Sequence, residues 1–262
     1  MRTPREIKQL VQDKYAAIAE NQDRLTTSGC CSDETTLMRE DYSAVVGYNP
    51  DADLGLGCGL PTKFAKIKPG DTVLDLGSGA GNDCFVARQA VGEDGLVIGI
   101  DMTQAMVIKA RRNADKLGAT NVDFRLGDIE NLPVDADSVD VVVSNCVLNL
   151  VPDKLQAFQE IYRVLKPGGH FSISDIVLRG NLPDALRESA ELIVGCVAGA
   201  QQQEVYLQTV SAAGFTHVEV QKERRINLSG DALVKHLSEK EVAKFSAGEK
   251  GIYSITVYAE KA

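Results

Sequence analysis

The stretch 73-VLDLGSGAGND-83 decides the fold of this chain. It begins as a short apolar run, which is typical of a buried strand, and it ends where a helix can start. Three alternate glycines, Gly77, Gly79 and Gly81, allow a tight turn and the close approach of a ligand to the helix N-terminus. The spacing is not that of the dinucleotide fingerprint G-x-G-x-x-G. The pattern is instead an acid, Asp75, followed by these three glycines.

Strands and helices alternate on both sides of this turn. Strands are predicted at 72–76, 96–101, 122–126, 139–144 and 170–178, and helices at 83–91, 103–117, 153–165 and 184–199. Such alternation indicates βαβ units and a parallel sheet with right-handed crossovers. A helix at 203–213, a strand at 216–223, a helix at 230–245 and a strand at 251–261 follow. The prediction is an α/β fold, a Rossmann-like doubly wound sheet of seven strands with the last strand inserted antiparallel.

Length, composition and charge limit the classes of function. The chain has 262 residues, of which 44% are hydrophobic and 25% charged, as in one large globular unit. We predict an N-terminal cap of helix and cysteine-bearing loops at 1–66, with a helix at about 4–24, on a domain at 67–262. The net charge of -9 disfavours a nucleic-acid partner. No apolar run is long enough for a membrane span, and the charged start lacks the pattern of a signal peptide, so we expect a cytoplasmic protein.

Acidic residues stand at the carboxyl ends of three successive strands. These are Asp75, Asp101 and Asp128. Each alone could be a helix N-cap, but three together at the ligand-binding edge of a parallel sheet suit a nucleoside that carries positive charge. S-adenosylmethionine is such a molecule.

The segments VLDLGSGAGND, GIDMT, LGDIENLP and RVLKPGG resemble those of the S-adenosylmethionine-dependent methyltransferases of the seven-stranded Rossmann-like class. The resemblance covers residues 60–180 and implies where the cofactor binds. The residues predicted to bind it are Asp75, Gly77, Ser78, Gly79, Gly81, Asp101, Met102, Gly127, Asp128, Ile129 and Asn145.

Six cysteines are present, without a CxxC pair. Cys58 lies among glycines in LGLGCGLP, Cys146 directly follows the fourth strand, and Cys196 lies beyond the fifth. Cys84 is expected to be a packing thiol in the first helix after the glycine turn. The other three could converge on one point and bind a soft, thiophilic centre, for which zinc is possible but not favoured. Beside a sulfonium methyl donor, thiol-bound arsenic(III) makes chemical sense, because its lone pair can attack the methyl carbon.

The segments LGLGCGLP, DLGSGAGNDCFV, GIDMT, VVSNCVLNLVPDK and GCVAGA resemble, in this order, those of the arsenite methyltransferase family. The resemblance runs from about residue 13 to 225. It implies that arsenic(III) is held by Cys58, Cys146 and Cys196. It also implies a disulfide between Cys58 and either Cys30 or Cys31, with Cys31 slightly preferred, which thioredoxin or glutathione would reduce.

The chain departs from many of these relatives in two places. Leu60 and Gly195 stand where they have other residues, which leaves the thiols in place, but the resemblance does not carry over the hydrogen bonding beside them. Two other functions stay open on the residues alone. One is a methyltransferase acting on a small organic acceptor, with the cysteines structural. The other is a non-catalytic protein that sequesters arsenic or a metal, against which the complete cofactor motif counts.

Overall fold

The computed structural model describes residues 3–21, 40–180, 199–226 and 250–262. Three of the predicted arsenic or relay cysteines, Cys30, Cys31 and Cys196, lie outside the described residues. So do the predicted helix at 230–245 and nearly all of the one at 184–199. In the part of the chain that is described, no helix has the length and apolar composition needed to cross a membrane.

The centre of the fold is a mixed sheet of seven strands, as predicted. The strands are β1 (Thr72–Leu76), β2 (Leu96–Asp101), β3 (Val122–Leu126), β4 (Val139–Asn145), β5 (Leu165–Arg179), β6 (Thr216–Ile226) and β7 (Gly251–Glu260). Their spatial order is β3-β2-β1-β4-β5-β7-β6. The first five strands are parallel, and β7 inserts antiparallel between β5 and β6. The predicted Rossmann-like class is therefore confirmed.

Within the described residues, six helices and one 3-10 turn connect or cover the strands. The helices are α1 (Pro4–Asn21), α2 (Pro61–Phe64), α3 (Asn82–Val91), α4 (Gln104–Leu117), α5 (Lys154–Val164) and α6 (Gln203–Ala212), and the 3-10 turn is Leu148–Leu150. Local signals explain their ends. Asp153 caps α5 by accepting a hydrogen bond from the Gln156 amide at 3.0 Å. Gly118, with φ +60°, ends α4 in the left-handed conformation.

The sheet is buried on both faces. Along β1, Val73 packs into one apolar cluster with Phe85, and the next residue, Leu74, packs into the opposite cluster with Phe158. This two-sided burial explains why the central strands are continuous apolar runs instead of alternating patterns. It leaves the carboxyl-end edge of the sheet as the place where polar side chains and glycine turns can form a site.

The largest difference from the predicted strand boundaries is at the start of β5, and β6 also extends three residues further than predicted, to Ile226. β5 begins at Leu165 rather than at residue 170, because Leu165 pairs with Val139 before the register shifts and His170 pairs with Val141. The irregular pairing allows the polar and glycine-rich segment KPGG to lie within a strand. Such a register shift has no signature in local periodicity.

Candidate functional site

A cavity of about 1100 Å³, counted with its open mouth, lies at the carboxyl ends of β1, β2 and β4. Most of the residues predicted to bind the cofactor line it, together with one of the predicted thiols. These residues are Asp75, Gly77, Ser78, Gly79, Asp101, Met102, Asp128, Ile129, Asn145 and Cys146.

Two predicted cofactor residues, Gly81 and Gly127, are not among those that line the cavity. Both glycines instead allow other side chains to pack close to the backbone. Gly81 has φ +100°, and a Cβ there would lie 2.8 Å from the Phe124 ring. A Cβ on Gly127 would lie 2.7 Å from the Pro133 ring. Glycine at these positions therefore permits close packing.

The glycine turn after β1 is held by the acid at the end of β2. The Gly79 amide donates to Asp101 Oδ2 at 3.0 Å, and the Thr103 amide donates to Asp101 Oδ1 at 2.8 Å. Burial raises the pKa of Asp101, and these two hydrogen bonds oppose the rise. Each carboxylate oxygen can accept a further hydrogen bond, so Asp101 can order the turn and still face a ligand diol.

Asp75 is buried at the back of the cavity, and its partner is a thiol. Cys84 Sγ donates to Asp75 Oδ2 at 3.2 Å. Burial raises the pKa of Asp75 well above its usual range, the neighbouring carboxylate of Asp83 raises it further, and the thiol hydrogen bond opposes both. Cys84 packs in the core as predicted. Its hydrogen bond to Asp75 was not predicted, although the two residues flank the same strand–turn–helix.

A second acid, Asp83, lies partly buried in a cluster with Tyr42 and Asn145. The Tyr42 hydroxyl lies 2.8 Å from Asp83 Oδ1, and Asn145 Nδ2 lies 3.1 Å from Asp83 Oδ2. Burial raises the pKa of Asp83 to about 6, against the lowering effect of these two hydrogen bonds. Sequence reasoning missed Tyr42 and Asp83, because Tyr42 is brought to the site from outside the cofactor motifs.

The two described thiols of the predicted arsenic site, Cys58 and Cys146, are both buried. Cys146 has φ +62°, a left-handed conformation that is unusual for a residue with a side chain, and its amide donates to the Ser174 carbonyl at 2.7 Å. The Cys58 carbonyl accepts from Ser254 Oγ at 2.7 Å. These bonds attach both cysteines to the β5–β7 part of the sheet.

The Cys58 amide donates at 3.0 Å to Oδ1 of Asn145, the residue before Cys146, so the two thiol residues lie close together. Tyr206 is fully buried and donates to Asp175 on β5 at 3.3 Å. Burial raises the pKa of its fully buried hydroxyl well above the usual value, and the nearby Asp175 carboxylate raises it further. Charge on Cys58 and on Cys146 adds to the same rise. The fold thus brings together two thiol residues that are 88 positions apart in the chain.

Helix α1 covers one side of the cavity. Lys8 Nζ forms ion pairs with Asp128 and Glu130, and Gln12 Nε2 donates to the Met102 carbonyl at 3.0 Å. Burial lowers the pKa of Lys8, but the hydrogen bonds and charges of its two acidic partners outweigh this effect and raise it. Asp128 was predicted to face the nucleoside directly. It lines the cavity, but its carboxylate is also the partner of a cation that sequence reasoning did not place there.

The side chains around the cavity fit a cationic nucleoside. Asp53, Asp75, Asp83 and Asp101 supply carboxylates, whereas Lys8 is engaged with the acids at the opposite wall. Carboxylates in a cavity wall are stabilised by a positive ligand and repel phosphates. The arrangement therefore matches S-adenosylmethionine better than a dinucleotide.

Comparisons with known proteins agree with this geometry. The sequence profile of a family described as "Methyltransferase domain" matches residues 67–214. The arsenite methyltransferase of Halobacterium salinarum is 48% identical over 84% of this chain, which spans 60% of that relative's length. The arsenite methyltransferase of Aquipseudomonas alcaligenes is 35% identical over 87% of this chain and 68% of its own length.

A solved structure is also similar to this chain. The crystal structure of an arsenic(III) S-adenosylmethionine methyltransferase from Chlamydomonas reinhardtii is similar with a TM-score of 0.65 and 36% identity, covering 79% of this chain and 68% of the other. The similarity extends over most of the chain. The chain belongs to the arsenite methyltransferase family, within the methyltransferases of the seven-stranded Rossmann-like fold.

Proposed function

We propose that this protein transfers a methyl group from S-adenosylmethionine to thiol-bound trivalent arsenic, as a step in arsenic detoxification. The observation that carries the proposal is the burial of Cys58 and Cys146, linked through Asn145, with Cys146 in the wall of an acidic cavity suited to a cationic methyl donor. A site of two or three soft thiolates beside a sulfonium favours a thiophilic nucleophile over a carbon, oxygen or nitrogen acceptor.

Arsenic binding needs no external acid or base. In our proposal each of Cys58, Cys146 and Cys196 replaces one hydroxyl of arsenous acid, and each thiol proton leaves with that hydroxide as water. For Cys196 the support is indirect. Gly199 follows it by three residues and lies so close to Asn149 that a Cβ on Gly199 would be 1.8 Å from the Asn149 carbonyl oxygen.

We propose that the cofactor is held by Asp75, Gly77, Ser78, Gly79, Asp101, Met102, Asp128 and Ile129. When bound, S-adenosylmethionine supplies a methyl group with a sulfonium leaving group. The buried acid Asp75 and the partly buried acid Asp83 favour the positive charge of that ligand. The thiols hold arsenic so that its lone pair, which carries no proton, points toward the methyl carbon. Placement of this kind contributes about 7–11 kcal/mol in well-oriented intramolecular reactions.

The arsenic site must then return to its trivalent state. Formation of the As–C bond uses the lone pair and oxidises arsenic from As(III) to As(V). We propose that the thiolate of Cys31, or of Cys30, then attacks the Cys58 sulfur. The S–S bond forms, the As–S bond to Cys58 breaks, and its electron pair returns to arsenic. Thioredoxin or glutathione would reduce the disulfide by thiol–disulfide exchange. This requirement supports a cytoplasmic location, where such reductants keep thiols reduced.

The N-terminal segment has a supporting role in this scheme. We propose that residues 1–66 form a cap on the methyltransferase domain at 67–262. The contacts of Lys8 and Gln12 with the cavity rim and the attachment of Cys58 to the sheet support this division.

The test is a reaction of the protein with arsenite, S-adenosylmethionine and a thiol reductant, with arsenic species separated by chromatography and measured by elemental detection. Methylated arsenicals are expected from the wild-type chain and not from Cys146→Ser or Cys58→Ser. Each variant must bind S-adenosylmethionine like the wild type, which serves as the folding control. Full activity of Cys146→Ser would contradict the proposal, and methylation of an organic acceptor by all three proteins would favour the alternative function.

A further inference from the structure

The backbone around Cys58 is attached to the end of β4 by one side chain, the carboxamide of Asn145. Its Oδ1 accepts hydrogen bonds from the Cys58 amide at 3.0 Å and from the Gly59 amide at 3.2 Å. Its Nδ2 lies 2.9 Å from the Gly59 carbonyl oxygen. Asn145 therefore satisfies both donors and one acceptor of the segment that presents Cys58.

Tyr42 and Asp83 fix the orientation of this carboxamide. Asn145 Nδ2 lies 2.8 Å from the Tyr42 hydroxyl and 3.1 Å from Asp83 Oδ2, and the Tyr42 hydroxyl lies within hydrogen-bond distance of Asp83 as well. A flipped amide would place its NH2 group against the Cys58 and Gly59 amides and its oxygen against Asp83. The observed orientation is the one that satisfies all of these groups.

The glycines on either side of Cys58 make this attachment possible. A Cβ on Gly57 would lie 2.6 Å from Asn145 Nδ2, and a Cβ on Gly59 would lie 2.4 Å from Ser174 Oγ. The backbone of the Cys58 segment thus approaches β4 and β5 more closely than any residue with a side chain would allow.

Asn145 also precedes Cys146, whose φ of +62° fixes the direction in which the chain leaves β4. Asn145 is therefore hydrogen-bonded to the backbone of Cys58 and covalently bonded to Cys146. Neither the amide oxygen nor the amide nitrogen of Asn145 is left without a protein partner, although the side chain reaches the cavity wall.

We propose that Asn145, anchored by Tyr42 and Asp83, is a positioning residue and does not bind the cofactor. It keeps Cys58 and Cys146 at the distance and orientation needed to bind a trivalent arsenical. This inference rests on the proposed function and replaces the sequence-based assignment of Asn145 to the cofactor. The two roles predict opposite results. Loss of a positioning residue weakens arsenical binding, whereas loss of a cofactor contact weakens S-adenosylmethionine binding.

The experiment measures both affinities in a Cys30→Ser, Cys31→Ser, Cys196→Ser background, in which Cys58, Cys84 and Cys146 remain. Phenylarsine oxide, which binds paired thiols, is the arsenical probe, and S-adenosylmethionine is titrated separately by calorimetry. Asn145→Ala is expected to weaken phenylarsine oxide binding about tenfold, because two buried amides lose their acceptor, and to change cofactor affinity less than about twofold. Cys58→Ser in the same background defines complete loss of paired-thiol binding.

Substitutions that exchange the hydrogen-bond donor and acceptor between Asn145 and Asp83 provide a second readout, which a general loss of packing would not give. Asn145→Asp retains the acceptor for the Cys58 amide but places a carboxylate against Asp83, so its loss of arsenical affinity should exceed that of Asn145→Ala. Adding Asp83→Asn restores an NH2 donor between the two side chains and should recover part of the loss. Tyr42→Phe removes only the anchoring hydroxyl and should give a smaller loss in the same direction, which keeps the test valid if Asn145→Ala folds poorly.

The matched control is Asn121→Ala. Asn121 likewise donates to two loop carbonyls, those of Gly92 and Gly95, but it lies before β3, at the opposite edge of the sheet. It should leave both affinities unchanged. Wild-type-like arsenical binding by Asn145→Ala and Tyr42→Phe, or a loss confined to S-adenosylmethionine, would overturn the inference. Failure of the unmutated chain to methylate arsenite would instead overturn the proposed function.

Discussion

Asp175 provides a test of how protonation of a buried carboxyl group affects the free energy of unfolding. It lies on β5 with no exposed surface, and burial raises the pKa of its carboxyl group to about 7. The positive charge of Lys154 and hydrogen bonds from the Ile176 amide and the Tyr206 hydroxyl oppose this rise without cancelling it. The folded protein therefore binds a proton at Asp175 in a pH range where the unfolded chain has lost it.

The direction and size of the effect follow from linkage. Because the folded-state pKa is raised from its usual 3.8 to about 7, the stabilising contribution of the proton is complete below pH 3.8 and is lost as the pH rises through 7. At about 1.4 kcal/mol per pKa unit, the loss amounts to about 4 kcal/mol. The neutral amide of Asp175→Asn does not titrate. We therefore expect the difference in free energy of unfolding, variant minus wild type, to increase by about that amount from pH 4 to pH 8.

The measurement is urea unfolding of both proteins across this pH range. Other buried acids, such as Asp75 and Asp101, contribute equally to both proteins and cancel in the difference. Asp94→Asn, at an exposed position, serves as the control and should differ from wild type by a constant small amount. If the difference between Asp175→Asn and wild type were the same at pH 4.5 and pH 8, Asp175 would not bind its proton as argued.

Two further substitutions test the cofactor cavity. Gly77→Ala should destabilise the fold by about 1–3 kcal/mol and weaken S-adenosylmethionine binding, because its Cβ would lie 2.5 Å from a Val147 methyl group. Gly70→Ala also has a positive φ but open space around it, so it should cost only about 1 kcal/mol and leave binding unchanged, as thermal unfolding and calorimetry would show. Cys84→Ala removes the donor to Asp75 and should raise the pKa of that acid further. The variant should therefore bind S-adenosylmethionine about three- to tenfold more weakly than wild type, with the difference shrinking as the pH rises, whereas equal affinity across the pH range would show that the thiol has no such role.

The sequence by itself determined the order of the elements and the position of the cofactor turn. Periodicity and the glycine turn are local signals, so β1 to β4 and the helices between them were located within one or two residues. Asp75, Asp101 and Asp128 could be assigned to one edge because parallel strands place their carboxyl ends together.

Only the tertiary structure decided which distant groups meet. The bond between Asn145 and the Cys58 backbone joins residues 87 positions apart, and the Lys8 ion pair with Asp128 joins residues 120 positions apart. No pattern along the chain encodes either contact, since each depends on where a loop or helix packs against the completed sheet. The same reason explains why the sequence could name the thiols but could not say which side chain holds Cys58 in place.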